Sequence, residues 1–354
     1  MIKVAIVALA AATGLTAISC NGSGGGGVPG LGGHPSGTGG ADRAGVGGGT
    51  GTGGAGGGSG GRTGGGATGG AAAAGVGGAG GLGTGGSSGV GGAQVGAGSG
   101  GAAGDPCATA LFCDDFEKYT AGQAPGAPWS RQVSAGSTAA VDTSQFHSGS
   151  KSVMFVAASG SGSKTAFIRL MSASVLPVTP NAFYGRMMFR LAAAPTGDVH
   201  WTFLEESGLI AGQNYHALYR YGGQHPIMNG STFVGSQLMA NYETPDSYSG
   251  NGPSSDCWQH ANKVVVPEGK WSCAEWQFDG PNNTMRFWLD GAPIAGLTVT
   301  GTGSGCGNQP ASYVWTAPTF DRMDLGWESY QQDTARTIWI DDVVLSRTKV
   351  GCPP

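Results

Sequence analysis

The chain has 354 residues, 71 of them glycine, and a formal net charge of −4. An acidic balance with no run of basic residues lacks the electrostatic footprint of a nucleic-acid binder, and irregular glycine with sparse proline excludes a collagen helix. Residues 21–104 hold 44 of the glycines in 84 positions, no aromatic residue, and only Asp42, Arg43 and Arg62 as charges, so this stretch cannot bury a core.

The first 20 residues carry a single Lys3, an apolar run from Val4 to Ala12, and small residues leading to Cys20. This is the pattern of a signal peptide rather than of a structural helix, and the apolar run is too short for a permanent membrane span. Its end, Ala17-Ile18-Ser19-Cys20, resembles the lipobox of bacterial lipoproteins. That resemblance implies lipidation at Cys20 and, with Asn21 following, an outer-membrane or cell-surface lipoprotein; ordinary secretory cleavage near Ser19 is the alternative. Residues 21–104 then read as a disordered Gly-rich linker with a root-mean-square span of roughly 50 Å.

Residues 105–354 carry all 30 aromatics, enough for one large globular domain or two small ones, with one body as the working assumption. With Cys20 set aside, the seven cysteines leave Cys107, Cys113, Cys257, Cys273, Cys306 and Cys352. An even number in an exported domain reads as three disulfides, and the absence of a CxxC pair argues against zinc or thioredoxin-like chemistry. Cys257 with Cys273 is the expected bridge between two strands, and Cys107 with Cys352 a staple of the termini.

From Leu111 onward the residues alternate in period two between Gly, Pro, Asn and Asp clusters, which predicts an all-β domain. Candidate strands cover 112–117, 152–157, 166–171, 183–191, 200–206, 216–221, 237–242, 270–278, 285–290, 322–330 and 337–346. Asp279-Gly280-Pro281-Asn282-Asn283 and Asp290-Gly291 read as hairpin turns, and Gly222-Gly223-Gln224 as a further turn. So many strands suit a sandwich of two antiparallel sheets.

Alternation places Tyr184, Arg186 and Arg190 on one strand face, His200 and Thr202 on another, His216 and Arg220 on a third, and Arg322, Asp324, Glu328 and Tyr330 on a fourth. If these strands share a sheet, they line it with Arg186, His200, Arg220, Asn241, Gln277, Glu328 and Tyr330. A sheet coated in this way is a candidate saccharide groove.

The segments LFCDDFE (111–117), YGRMMFR (184–190), VHWTFLE (199–205), YRYGGQ (219–224), LMANYET (238–244), DCWQH (256–260), EWQFDG (275–280), LGWESYQ (325–331) and IDDVVLS (340–346) resemble the Cip-like core-domain family over about residues 107–353. That family is named for a cellulose-induced secreted fungal protein. The signal-plus-linker layout is similar to myxobacterial exported lipoproteins. The resemblance implies a concanavalin-like β jelly roll, a structural calcium, and kinship with glucuronan and alginate lyases; it does not by itself imply catalysis.

A lyase that cleaves a uronic-acid glycan by β-elimination must neutralise the C5 carboxylate, remove the C5 proton and protonate the departing oxygen. Jelly-roll lyases use an Arg, Asn/Gln, His and Tyr set, whose positional analogues here are Arg186 or Arg220, Asn241 or Gln224, His200 and Tyr330. Gln277 and Glu328 join them as substrate-binding candidates, although Glu328 on the face of Tyr330 sets a carboxylate where an anionic sugar must sit. Glu205 and Glu328 are an alternative acid/base pair, but strict alternation turns Glu205 away from His200.

Each candidate also has a structural alternative. His200 can be a hydrogen-bonded structural histidine, Arg186 and Arg220 can pair with Glu328 or Asp324 across strands, and Tyr330 can be a stacking or core aromatic. Trp258 and His260 fall in a Cys-bearing loop, where they can pack against a disulfide. For calcium, the resemblance brings together Asp114, Asp115 and Glu117, the 147–150 turn, and Asp341-Asp342. Glu117 and Asp341 are the expected side-chain ligands, with Ser148 and carbonyls of the turn completing an oxygen cage. The sequence therefore supports an exported, carbohydrate-active jelly roll whose partner is an extracellular polysaccharide, as a lyase or as a non-catalytic binding module or surface adhesin.

Overall fold

The computed structural model describes residues 105–246 and 251–353; the predicted signal peptide, Cys20 and the Gly-rich tract lie outside them. No α-helix occurs among the described residues, and none of their helical segments is long and apolar enough to cross a membrane. The first strands are β1 (Phe112–Asp114), β2 (Trp129–Val133), β3 (Thr138–Asp142), β4 (Ser152–Ala157), β5 (Lys164–Leu170) and β6 (Ala182–Leu191). Next come β7 (Trp201–Leu209), β8 (His216–Asn229), β9 (Thr232–Thr244), β10 (Ser255–Val265), β11 (Ser272–Asp279) and β12 (Thr284–Leu289). The last are β13 (Ala292–Pro293), β14 (Val299–Thr300), β15 (Gly305–Gly307), β16 (Thr319–Ser329) and β17 (Arg336–Ser346).

They form two antiparallel sheets, as a jelly-roll sandwich requires. One has 9 strands, ordered β13-β12-β11-β6-β17-β4-β3 with β1 on β17 and β14 on β12, and the other has 8, ordered β15-β10-β9-β8-β7-β16-β5-β2. Between them Trp201 stacks on Trp327 at 4.7 Å, and Phe203 bridges the sheets through Phe189 and Phe287. Each such side chain, withdrawn from water, contributes about 1.5–3 kcal/mol.

Several elements depart from simple alternation. Residues 256–260 are not a loop but part of β10, and Gly222-Gly223-Gln224 lies inside β8 rather than in a turn. Two glycines in mid-strand mark close approach of neighbours: a Cβ on Gly222 would lie 1.9 Å from the Trp201 carbonyl oxygen. The β7–β8 register shifts between Thr202 and Leu204, a bulge that sends both Phe203 and Leu204 into the core. Every residue after it changes face relative to strict alternation.

The bridges are Cys107–Cys113, Cys257–Cys306 and Cys273–Cys352, which overturns both expected pairings. Cys257 and Cys306 are register partners on β10 and β15, whereas Cys273 belongs to the other sheet. The C-terminal segment crosses that sheet's outer face, where Glu275 Oε1 accepts hydrogen bonds from the amides of Val350 (2.7 Å) and Gly351 (2.8 Å). That crossing brings Cys352 to Cys273 and leaves Cys107 to close a short loop with Cys113.

Candidate functional site

The outer face of the eight-stranded sheet carries most of the predicted set, in a row of register partners. Asp324 of β16 pairs with Glu205 of β7, Glu205 with Arg220 of β8, and Arg220 with Asn241 of β9. Tyr330 follows β16, and its amide donates to the His200 carbonyl at 3.0 Å. The Tyr330 hydroxyl accepts from Arg220 Nη1 at 2.8 Å and donates to Thr202 Oγ1 at 3.1 Å. The ring centroids of His200 and Tyr330 are 4.6 Å apart.

Asn241 sets the tautomer of His200. Its Nδ2 donates to the Cys257 carbonyl at 3.2 Å, which turns Oδ1 toward His200 Nε2, also at 3.2 Å. Nε2 therefore carries the proton and Nδ1 is the basic nitrogen. Burial, reinforced by the Arg220 charge, holds His200 well below the usual histidine range, so the ring is neutral at neutral pH. Burial pushes Tyr330 well above the usual phenol range, with Arg220 opposing it. A neutral imidazole and a protonated phenol thus lie side by side, the ring with one nitrogen able to accept a hydrogen bond and the phenol with a hydroxyl able to donate one.

Carboxylates surround the guanidinium. Burial works against the charge of Arg220, but Tyr330, Glu243 and Asp256 outweigh it and raise its pKa; Arg220 Nη2 lies 2.7 Å from Glu243 and 3.5 Å from Asp256. The bulge in β7 places Glu205 on this same face, against the expectation from alternation. Burial, then the charges of Asp324 and Glu328, raise its carboxyl well above the usual range. Asp324 is clamped by Arg169 through bonds of 2.7 and 2.6 Å, and the salt bridges of Arg220 go to Glu243 and Asp256, not to the Asp324 or Glu328 of the structural alternative. Glu328 accepts from the hydroxyls of Ser163 and Thr165 at the edge of the cluster. Gln224 lies on β8 opposite Gln237.

Arg186 and Gln277 are elsewhere. They belong to β6 and β11 of the nine-stranded sheet, where Arg186 faces Glu275 and donates to the Gly351 carbonyl at 3.2 Å. Gln277 accepts from Arg286 at 2.6 Å. Outward faces of two packed sheets point in opposite directions across a core about 10 Å thick, so neither residue joins the His200 cluster. A cavity of ≈ 390 Å³ on this opposite sheet is lined by His147, Met188, Trp271, Asp290 and the Cys273–Cys352 bridge. It contains none of the lyase candidates.

The residues expected for calcium converge on one turn. Glu117 Oε1 accepts from the amides of Ser150 and Lys151, both at 2.7 Å, and Asp341 Oδ2 accepts from those of His147 and Ser148 at 2.8 and 3.2 Å. Ser148 Oγ donates to Asp342 at 2.6 Å. Burial and the neighbouring Asp342 raise Asp341 to about 6, a crowding of carboxylates that a dication would relieve. Among the described residues no three His, Cys, Asp or Glu side chains are grouped to hold a metal, and the turn meets Glu117 and Asp341 with amide N–H groups.

The sequence missed Glu205, Glu243 and Asp256 as neighbours of Arg220. Glu205 was hidden by the bulge. Glu243 and Asp256 share the face of Asn241 and were within reach of the alternation argument once β10 was recognised as a strand.

Among solved structures, the chain is similar to "Cellulose induced protein, Cip1", at 26% identity and a TM-score of 0.47, covering 68% of this chain and 100% of that one. It is similar also to an endo-β-1,4-glucuronan lyase from the fungus Trichoderma reesei, at 12% identity and a TM-score of 0.46, covering 68% and 96%. An alginate lyase, vAL-1, from Chlorella virus matches at 11% identity and a TM-score of 0.38, covering 59% and 89%. No curated protein matches the chain. The polysaccharide-lyase-like family model described as Cip1-like core domain matches residues 115–348, and the chain belongs to that family.

Proposed function

We propose that this carbohydrate-active jelly roll is a polysaccharide lyase that cleaves uronic-acid glycans outside the cell. The observation that carries this reading is the contact set of Arg220, Tyr330, His200 and Asn241, which holds a neutral imidazole against a protonated phenol. His200 Nδ1 takes the C5 proton, and the electrons of the C5–H bond form the C4–C5 double bond as the C4–O bond breaks. Tyr330 gives its proton to the departing oxygen, Arg220 stabilises charge on the C5 carboxylate, and Asn241 holds the tautomer of His200. Membership of a polysaccharide-lyase-like family supports the assignment.

Calcium at Glu117, Asp341 and the 147–150 turn, with Ser148 beside them, is supported by the crowding of Asp341 and Asp342 there; it would pin the start of the domain to β17 rather than take part in chemistry. The N-terminal sequence supports export and anchoring through a lipidated Cys20, with release as a secreted protein the alternative. The direct test incubates the protein with glucuronan, alginate, pectate and neutral glucans and follows the ultraviolet absorbance of the new double bond. A rise on a uronate that Tyr330→Phe abolishes supports the lyase; no rise on any uronate rejects it for those glycans.

A second reading is favoured by one observation. Arg220 is already paired with Glu243 at 2.7 Å, which reduces its attraction for a sugar carboxylate. A binding module for neutral glycan would use the same face without turnover. It predicts retardation in gels containing neutral glucans and no absorbance change.

A further inference from the structure

The same sheet face carries a second polar cluster that the elimination chemistry does not use. Asp198 precedes β7, His225 lies in β8 and His260 in β10. His225 Nδ1 is 2.7 Å from Asp198 Oδ1, and the His225 and His260 rings have centroids 5.0 Å apart with planes inclined at 52°. His260 Nε2 is buried without a hydrogen-bond partner. His225 adopts φ 65° at the register shift between Gln224 and Pro226. A non-glycine residue held in the left-handed region at a bulge is a residue whose side chain has been re-aimed.

We propose that His225 and His260 bind a transition-metal cation of the zinc or copper class through their Nε2 atoms, with Asp198 orienting His225. A metal–nitrogen bond of about 2.0–2.1 Å, extended by about 1.1 Å from nitrogen to ring centre, separates two centroids by about 5 Å at a tetrahedral angle. The observed separation matches. The bond from Asp198 to Nδ1 leaves the lone pair on Nε2, the carboxylate–histidine arrangement that orients metal ligands.

Imidazole suits zinc and copper, whereas calcium prefers oxygen, so this site is chemically distinct from the turn at Glu117. No third protein ligand joins them among the described residues; water or a ligand oxygen completes the coordination.

The test titrates the untagged full chain with Zn²⁺ and with Cu²⁺ by calorimetry and records the electron paramagnetic resonance spectrum of the copper form. One saturable site with hyperfine structure from two nitrogens is expected. His225→Ala and His260→Ala should each remove it, Asp198→Asn should weaken it by about tenfold or more, and His34→Ala should leave it intact. His260→Gln serves as a second variant should the alanine fail to fold. Absence of saturable binding overturns the proposal, as does binding unchanged in a folded His225→Ala/His260→Ala double variant. Neither outcome depends on lyase activity.

Discussion

Arg220 donates to the Tyr330 hydroxyl at 2.8 Å while its guanidinium carbon lies 5.0 Å from the centre of the Tyr330 ring. The phenol is therefore oriented by a cation that also opposes the effect of burial on its proton. Tyr330→Phe keeps the ring against His200 and removes only the hydroxyl. It should leave thermal stability within about 1 kcal/mol of the parent and reduce elimination by about a hundredfold or more. Turnover measurements beside a thermal melt separate the two effects.

The neutral state of His200 has a pH signature. Its folded pKa lies well below the ordinary 6.5, so below that value the unfolded chain binds a proton that the folded chain refuses. The stabilisation is present above about pH 6.5 and is lost as the pH falls toward the folded value. Denaturant titrations across this range should show that slope flattened in His200→Gln. Activity should fall on the acid side as Nδ1 becomes protonated.

Glu206 follows Glu205 after the bulge and faces the core, where its Oε1 accepts from Trp276 Nε1 at 3.0 Å and its Oε2 has no partner. Burial raises its pKa well above 4.5, so its contribution has the opposite sign. It is largest below pH 4.5 and is lost as the pH rises toward the folded value, at up to about 1.4 kcal/mol per pH unit. Glu206→Gln keeps an acceptor for Trp276 and carries no charge. It should gain stability over the parent as the pH rises, read as a growing difference in melting temperature.

The turn between Glu117 and Asp341 supplies a metal-dependent prediction. A chelator should lower the melting temperature, and added calcium should restore it, whereas Glu117→Gln should abolish the calcium response. Zinc or copper should not substitute at this oxygen site.

Gly222 tests the bulge itself. A Cβ there would meet the Trp201 carbonyl oxygen at 1.9 Å and the Thr202 Cα at 2.7 Å, both of them backbone that cannot rotate away. Gly222→Ala should destabilise the fold by about 1–3 kcal/mol and displace Thr202 from Tyr330. The expected readout is a lowered melting temperature together with lost activity.

Much of the fold was legible in the sequence. Period-two alternation between turn clusters identifies an all-β domain, and the strands that carry Arg220 and Asn241, with those that His200 precedes and Tyr330 follows, are legible because each has an apolar inner face. Family motifs such as LGWESYQ and YRYGGQ lie on those strands. What alternation cannot encode is its own interruption. The bulge in β7 moved Glu205 to the face of Arg220 and Glu206 into the core, and nothing in VHWTFLEE announces where the extra residue falls.

The composition and periodicity of this chain determined its strand character, its inner and outer faces, and the types of side chain available for chemistry, because those are properties of consecutive residues. Only the tertiary structure decided which strands share a sheet. Strand order is set by core packing between distant segments, so Arg186 and Gln277 are separated from Tyr330 despite equivalent patterning. Cysteine pairing was decided in the same way, by the register of β10 with β15 and by the path of the C-terminal segment over Glu275.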